Sequence, residues 1–576
     1  MAATEQQQQA SSNFRIEVAG QPLPDTVAQA VVSSVVDCHV ALPDAFTLTF
    51  RDPGRTVITE GKFTIGAKCK ISVISEADTG KPLMTGEVTA LEAEHDAGGT
   101  YTIVRGYDQS HRLLRGRRTE TYTDVTYADV ARKIAQLANL QTGTIDATPV
   151  VHVHVSQGNA SDWDFLWGLA REVGFEVAVS DGKLHFRKPA PATEGPGAGS
   201  LDSTNPLQLS LGQNLLRFRA GVTSAEQVKE VQIRGWDVGT KKSLVGVAAA
   251  GTGSAKLSMS PADVAATFSA PPYVGVDVPY RKQTEVDAAA KAVAEQIGGA
   301  FAEFDGVARG NPALKAGCAV SLAMVGAPFD GKYVLTSVRH TYDPGSGYNT
   351  AFTVSGRQQR SLLGLVNGGG RGARPSGLLG VVPAQVTDVH DPENQYRVKV
   401  KFPWLSETYV SDWIRVVSTG AGADRGGIWL PEVNDEVLVT FEQGDLRRPY
   451  VLGGLHNGVD KPKLGDGLVD SSGAVKRRGF VSKKGHSLLF FDDASDDGVA
   501  VLTGDSKLRI SLNGSKSTIK ISSNGKVEIE GQTDVTIKAG GNLTLQATGK
   551  LELSGAQVAI KGSGPVEVSG SPIKLN

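Results

Sequence analysis

The C-terminal part of the chain carries a regular pattern of paired hydrophobic residues. From residue 519 onward, two aliphatic residues flank one intervening residue, and successive pairs begin seven or eight residues apart, with a glycine in or beside most of the intervals. Because a strand turns every second side chain to one face, this spacing predicts strands of about five residues joined by turns of two or three. The pairs are Ile519 and Ile521, Val527 and Ile529, Val535 and Ile537, Leu543 and Leu545, Leu551 and Leu553, Val558 and Ile560, Val566 and Val568, and Ile573 and Leu575.

One chain of such strands would leave an apolar face and open hydrogen-bonding edges in water. Copies of the chain wound about a common axis would turn the aliphatic face inward and pair the edges. We therefore infer an intertwined β-prism of three chains over residues 508–576. The first seven pairs would form its core, and Ile573 and Leu575 would contact a cap at the tip. The alternatives are an ordinary β-meander, which rarely keeps so even a period, and a single-chain parallel β-helix.

The remainder of the chain also reads mainly as strands. Apolar and polar residues alternate between Phe14 and Gly106, a pattern typical of half-buried strands. Three helices are predicted where a capping residue precedes apolar residues at helical spacing and is followed three residues later by an aspartate; the caps are Thr126, Ser161 and Thr284.

Stretches rich in proline and glycine divide the chain. Residues 189–206 contain too little apolar surface to order themselves and are predicted to be a long loop or linker. Residues 367–377 (NGGGRGARPSG) are predicted to be a second linker, which marks the clearest domain boundary. The polar, glutamine-rich start of the chain is predicted to be disordered. The predicted divisions are a disordered segment at 1–13, a first region at 14–366, an all-strand domain at 378–458, a connecting β segment at 459–507, and the repeat at 508–576.

Composition removes several classes of function. With 59 Lys and Arg against 61 Asp and Glu, the net charge is −2, so no overall basic field holds nucleic acid or an anionic membrane. Aromatic residues make up only 6% of the chain while 68 residues are glycine, which favours short strands and tight turns. Cys38, Cys69 and Cys318 are far apart and are interpreted as reduced core thiols. The start of the chain lacks the features of a secretory signal, so assembly is expected in the cytoplasm.

No pattern of residues predicts a catalytic, cofactor-binding or metal site. The motifs HExxH, GxSxG and Gly-Lys-Ser/Thr are absent. His152 and His154 share one side of a strand at a spacing that zinc sites use, but no further ligand is near, so a polar strand face is favoured.

Other polar clusters are assigned to structure. Four acidic residues adjoin turn-forming residues and are assigned to turns: Asp388, Asp391, Asp435 and Glu436. Trp404, Trp413 and Lys399 could stack on single-stranded nucleic acid, but packing is favoured. The basic cluster Lys476, Arg477, Arg478, Lys483 and Lys484 is interpreted as a solvated loop or a contact with an acidic neighbour.

Several segments together resemble one protein family. The first group lies just before the repeat: Val386–Pro392 (VTDVHDP), Tyr396–Trp404 (YRVKVKFPW), Asp412–Val416 (DWIRV), Pro431–Val439 (PEVNDEVLV) and Phe441–Asp445 (FEQGD). They resemble the OB-fold domain of the VgrG spikes of type VI secretion and of the hub-spike proteins of contractile phages and injection systems. Three further segments resemble other parts of the same family: Arg105–Asp108 (RGYD), Ser161–Leu166 (SDWDFL) and Lys484–Leu488 (KGHSL).

The resemblance implies a mainly β fold with tube-like β-barrel hub domains and a few helices at 14–366, an OB-fold at 378–458, and a C-terminal intertwined trimeric β-helix. It implies a homotrimer that adapts a threefold spike to a sixfold tube. The implied partners are a hexameric inner tube protein, baseplate proteins, a PAAR-like tip protein and effector cargo. A target membrane is met only on firing.

We therefore expect a structural, non-enzymatic hub and membrane-puncturing spike, assembled in the cytoplasm and then part of an injection particle. The chain ends directly after the repeat, so no fused effector domain is expected. The alternatives are a trimeric receptor-binding fibre, which the absence of aromatic residues beyond Phe491 disfavours, and an effector enzyme carried by the apparatus.

Overall fold

The computed structural model describes residues 13–75, 78–197, 205–356, 380–461, 467–493 and 496–574. The chain divides into two compact units, residues 1–460 and 461–576, each described by itself below. Residues 1–12, the predicted linker 367–377 and the predicted tip residue Leu575 lie outside the described residues.

The first part of unit 1 contains twelve strands and four helices within its described residues. The strands are β1 Asn13–Val18, β2 Gln21–Pro22, β3 Val31–His39, β4 Leu42–Arg51, β5 Lys68–Ser75, β6 Asp78–Asp96, β7 Gly99–Tyr107, β8 Arg118–Val125, β9 Gln141–Ile145, β10 His152–Ala160, β11 Glu176–Ser180 and β12 Lys183–Arg187. The helices are α1 Asp25–Ala28, α2 Val57–Glu60, α3 Tyr127–Leu137 and α4 Asp162–Val173.

The next part continues to residue 354, and we call the region from Asn13 to Val354 the hub region after its predicted role. Its strands are β13 Gln208–Ser210, β14 Leu215–Val222, β15 Glu230–Asp237, β16 Lys242–Ala249, β17 Ala255–Lys256, β18 Tyr273–Gly275, β19 Ala302–Arg309, β20 Ala319–Ala323, β21 Gly331–Val334, β22 Ser337–Asp343 and β23 Gly347–Val354. Its helices are α5 Pro261–Thr267 and α6 Gln283–Gly299.

One antiparallel sheet of eleven strands joins these two parts, in the order β14-β19-β23-β22-β3-β4-β7-β6-β5-β1-β2. The seam between the parts is the pairing of β22 with β3, in which Val338 lies opposite Cys38. The sheet carries two separate hydrophobic cores, one around Leu48 and Val104 and another around Phe304. The described strands of this region thus form one continuous sheet with two cores, and the expected pair of tube-like barrels stays a prediction.

Two smaller α+β layers complete the hub region. Helices α3 and α4 pack with strands β8 to β12 around a core that includes Ile134 and Leu166. Helix α6 packs on the sheet β16-β15-β18 through Val286. Strands β13, β20, β21 and β17 form a further four-stranded sheet.

The helix starts confirm two of the three predicted caps. The hydroxyls of Thr126 and Ser161 accept the backbone N–H of Asp129 and Asp164, respectively. The third prediction is wrong in position: α6 begins at Gln283, and Thr284 lies inside it. The reason is that Glu285 reaches back to the backbone N–H of Lys282 (3.2 Å), so the helix is capped two residues earlier.

Part of the predicted linker 189–206 packs on the hub, which differs from the expectation for that segment. Ala192 is buried, and its N–H donates to Gly253 O at 2.6 Å. Lys332 Nζ donates to the carbonyl oxygens of Thr193 and Gly195. These hydrogen bonds to its main chain order a segment that has few apolar side chains of its own.

Unit 1 ends in a closed five-stranded barrel, β24-β25-β26-β30-β29. Its core includes Val386, Val400, Phe402 and Val439, all fully buried. A short hairpin, β27 with β28, lies in the connection between β26 and β29. The bounds are β24 Val381–Asp388, β25 Arg397–Lys401, β26 Ile414–Val416, β27 Ala421–Gly422, β28 Arg425–Gly426, β29 Glu436–Phe441 and β30 Pro449–Gly454.

Unit 2 begins with an antiparallel sheet whose five strands follow one another in sequence. They are β31 Arg477–Val481, β32 Ser487–Asp493, β33 Asp496–Leu502, β34 Leu508–Asn513 and β35 Thr518–Ser523. Residues 526–574 belong to no strand or helix of the single chain. The first predicted pair of the repeat, Ile519 and Ile521, lies in β35 and is paired with β34 of the same chain.

Candidate functional site: the spike face and the hub–barrel junction

One face of the sheet in unit 2 is apolar and exposed. Strand register places Phe480, Val501, Ile510 and Ile521 in one row across the sheet. We call the eight exposed apolar residues of this side the spike-base face: Phe480, Phe490, Val501, Leu508, Ile510, Leu512, Ile519 and Ile521. The opposite side buries Leu489 and Ala500. A contiguous apolar face of this kind usually marks an interaction site.

The predicted core residues of the repeat are exposed in the single chain. Their exposed fractions range from 48% at Ile573 to 72% at Ile519. Neighbouring polar positions include an ion pair on either side of Leu551, with Lys550 Nζ and Glu552 Oε2 2.6 Å apart. Apolar and mostly polar residues therefore alternate in this part of the sequence, as they do in a sheet with one dry face and one wet face. Fifteen of the sixteen paired aliphatic residues are described, and all fifteen are exposed: Ile519, Ile521, Val527, Ile529, Val535, Ile537, Leu543, Leu545, Leu551, Leu553, Val558, Ile560, Val566, Val568 and Ile573.

A second polar cluster joins the hub region to the barrel, and we call it the hub–barrel junction. Arg447, in the barrel, reaches Glu172 at the end of α4, with Nη2 3.0 Å from Oε1. The Tyr127 hydroxyl donates to the same carboxylate at 2.6 Å, and Asp445 lies 3.2 Å from Arg447 Nε. Arg281 adds a second ion pair across the junction. These contacts link residues that are up to 320 positions apart in the sequence.

Charge pairing outweighs burial in this cluster. Burial alone would raise the pKa of Glu172, but the Arg447 guanidinium and the Tyr127 hydroxyl hold that pKa below its ordinary value. Burial would likewise lower the pKa of Arg447, but Asp445 and Glu172 raise it. Burial and the neighbouring Glu172 raise the pKa of Tyr127, so its hydroxyl remains a donor. The junction is therefore a charged network that is satisfied only while the barrel and hub are in contact.

The two histidines of β10 belong to the junction. His152 stacks flat on Tyr127, with ring centroids 4.3 Å apart. His154 Nε2 donates to Val410 O of the barrel at 3.2 Å, and its Nδ1 accepts from Ser156 at 3.1 Å. Burial lowers the pKa of both histidines. The sequence indicated the polar strand face but not the barrel that covers it.

The structure describes the other candidate residues as parts of turns and packing. Asp391 accepts from Arg397 Nη2 at 2.6 Å and from loop N–H groups. Trp404 donates to Pro383 O at 2.9 Å, and the ammonium of Lys399 lies 5.0 Å from the ring centroid of Trp413.

The remaining acidic and basic residues have neighbours in the same chain. Asp388 binds the exposed His390 at 3.1 Å. Asp435 accepts the N–H of Glu432, and Glu436 accepts from Asn457. In the basic cluster, Lys476 pairs with Asp470 at 3.2 Å, Arg478 pairs with Asp492, and Arg477 lies over Phe491.

Within the described ranges, no three His, Cys, Asp or Glu side chains come together in a way that could hold a metal ion. Among the described helices, none is long and apolar enough to cross a membrane.

Two family models match segments of unit 1. The family model of the Alg8 N-terminal domain matches residues 9–343, more than half of the chain. The model of the type VI secretion system and phage-baseplate injector OB domain matches residues 382–456, which contain the closed barrel.

Individual relatives match over shorter stretches. The type VI secretion system spike protein VgrG2a of Pseudomonas aeruginosa is 30% identical over 113 residues, 19% of this chain and 13% of that protein. A probable baseplate hub protein of Escherichia phage 186 is 29% identical over 142 residues, 24% of this chain and 36% of that protein. The chain thus matches well under two thirds of the length of these relatives.

A chain of the Francisella PdpA–VgrG complex shares the fold, with a TM-score of 0.53 at 9% identity, over 90% of this chain and 88% of that one. The mainly β architecture with a closed five-stranded barrel confirms the fold class indicated by the sequence motifs. The chain belongs to the family of the Alg8 N-terminal domain and is a VgrG-like hub-spike protein that carries an injector OB domain.

Proposed function

We propose that this protein is the trimeric hub and membrane-puncturing spike of a contractile injection apparatus. The observation that carries the proposal is the exposure of fifteen paired aliphatic side chains along residues 519–573 in a single chain. Exposed apolar surface of this extent and regularity requires a cover. Two sister chains would cover this surface, because their paired aliphatic residues repeat at the same intervals and can lie opposite those of the first chain.

The spike-base face supports the same stoichiometry. Its eight apolar residues form one side of a sheet. In a threefold assembly, three such sheets would enclose a shared core with their apolar sides inward and their charged sides in water. The repeat would continue this core toward the tip, where Ile573 is 48% exposed and would contact a PAAR-like cap.

The hub region accounts for the remaining partners. In this proposal its continuous eleven-stranded sheet supplies two cores per chain, so three chains present six similar elements to a hexameric inner tube. Baseplate proteins would surround it, and effector cargo would travel with the spike. The proposal assigns force transmission and no catalysis to the chain. Assembly would take place in the cytoplasm, and the particle would meet a membrane only on firing.

The test compares two lysine substitutions that lie one residue apart. Leu545→Lys places a charge on the apolar side of the repeat, whereas Thr544→Lys places the same charge on the polar side. Burying three unpaired ammonium groups on one axis would cost on the order of 3–5 kcal/mol each, so we expect Leu545→Lys to abolish detergent-resistant trimers and Thr544→Lys to retain them.

Light scattering and negative-stain images of the purified full chain provide the readout. The wild type should have three times the chain mass and a stiff needle. A monomeric wild type with an ordered needle would overturn the proposal, as would equal trimer yields from the two lysine variants.

A further inference from the structure

A cavity of about 250 Å³ opens at the hub–barrel junction. The loop 147–150 and residues 278–280 form much of its wall, together with Phe175 after α4. The polar network of Glu172 and Arg447 forms another side. The lining of the cavity therefore combines apolar side chains with several charged groups, as small-molecule sites commonly do.

The carboxylates that line this cavity already have partners. Glu172 and Asp445 are both engaged by Arg447. Glu285 Oε2 accepts the backbone N–H of Arg281 at 2.9 Å as part of the cap of α6. These three acids are therefore held by groups of the protein rather than directed at a ligand.

Arg448 differs from its neighbour Arg447. It lines the cavity, and it donates to two main-chain oxygens, Pro279 O and Arg447 O, each at a long 3.4 Å. Among the described residues it has no ion pair with a carboxylate. Burial, and then the nearby Arg281 and Arg447, lower the pKa of Arg448, and the charges of Glu285 and Asp445 only partly oppose this, so the position remains unfavourable for the guanidinium charge. An anion in the cavity would offset that cost.

We propose that this cavity binds a small carboxylate with an apolar body. The planar guanidinium of Arg448 would hold the carboxylate through paired hydrogen bonds, the geometry that arginine favours. The body would pack on Pro149, Val150 and Phe175. A cavity of about 150 Å³ holds benzene, so this larger one accommodates a phenyl ring with a short acid chain. The inference is independent of trimer formation.

The ligand could be a free acid or the carboxyl terminus of a peptide, since both present the same group. Calorimetry on the full-length wild type should therefore use four probes: 3-phenylpropionate, its amide, acetyl-Gly-Phe with a free carboxyl group, and acetyl-Gly-Phe-amide. We expect one or both acids to bind at least tenfold more tightly than the matching amide. The pair that shows this difference identifies the source of the carboxylate.

Two substitutions locate the binding. Arg448→Gln removes the charge, and Ala147→Phe fills the cavity while leaving all charges in place. Each should weaken binding of the acid at least tenfold, whereas Arg339→Gln on the large sheet should not change it. Thermal unfolding of each variant checks that unit 1 remains folded. Equal binding of acid and amide, no binding of either acid, or unchanged binding in Arg448→Gln would overturn the proposal.

Discussion

Replacing Asp44 by Asn should stabilise the hub region at neutral and alkaline pH. Asp44 lies in β4, where its Oδ1 accepts the N–H of His39 at 3.2 Å and its own N–H faces Asp108 Oδ2 at 3.4 Å. Burial, and then the charge of Asp108, raise the pKa of Asp44 from 3.8 to about 7. The folded state therefore holds a proton on this group at pH values where the unfolded chain has released it.

The sign and size of the effect follow from linkage. A raised folded-state pKa contributes stability that is fully present below about pH 4 and is lost as pH rises toward 7. At about 1.36 kcal/mol per unit, a shift of roughly three units corresponds to at most about 4 kcal/mol. The amide introduced by Asp44→Asn carries no charge at any pH and keeps an oxygen for the His39 N–H. The variant should therefore gain about 2–4 kcal/mol near pH 8 and almost nothing near pH 4.

Native-state hydrogen exchange measures the opening free energy of the β3–β4 hairpin at each pH, once the rates are corrected for intrinsic exchange. The matched control is Asp181→Asn, which removes the same charge from an exposed turn where φ is 49° and Asn is equally tolerated. The control should show no pH-dependent gain. If Asp44→Asn lowered the opening free energy equally at both pH values, the carboxyl would be acting through its hydrogen bonds and the linkage reasoning would be refuted.

Three further predictions concern other parts of unit 1. Arg447→Met should cost about 3–5 kcal/mol in urea unfolding because it removes the guanidinium that pairs with Glu172 and Asp445, and adding Glu172→Gln should recover part of the loss. Gly106→Ala should cost about 3 kcal/mol or more in the free energy of unfolding, because a Cβ there would overlap the main-chain oxygen of Glu87. In the control Gly221→Ala, on the same sheet, the new Cβ meets nothing within 4 Å, so urea unfolding should show almost no change. Burial lowers the pKa of His154, so the stability that the neutral histidine contributes should be lost as pH falls below about 6.5. His154→Gln should therefore lose less thermal stability than the wild type between pH 6.5 and lower pH, as measured by thermal melts at a series of pH values.

Local signals in the sequence predicted local structure well. Thr126 and Ser161 cap helices because their hydroxyls and the aspartates three residues later act within a single turn. The prediction that Thr284 caps the third helix was wrong, because the Glu285 side chain accepts the backbone N–H of Lys282 and the helix begins directly after Lys282. Lys282 and Thr284 are each followed three residues later by an acidic residue, Glu285 and Asp287 respectively. Only the hydrogen bonds of the folded chain show which of the two is the cap.

Contacts between distant segments could not be read from the sequence. Glu172 and Arg447 come together only because α4 and the barrel pack against each other, and neither residue lies in a pattern that points to the other. The same holds for His154, whose polar strand face was predicted but whose partner, Val410 O, is 256 positions away. A buried ion pair has no periodicity, so propensity and spacing carry no signal for it.

Burial within one chain accounts for unit 1 but not for the repeat. Val104 and Val439 are fully buried by their own chain, whereas Leu545 and Leu553 remain 58% and 62% exposed. The family models end at residue 456, so they cover the hub region and the barrel and leave the repeat to its own side-chain pattern. The hub assignment thus rests on likeness and the spike assignment on the physical need to cover aliphatic surface. Because these two grounds are independent, an overturned trimer would leave the hub-spike likeness intact while removing the mechanical role that we propose for the repeat.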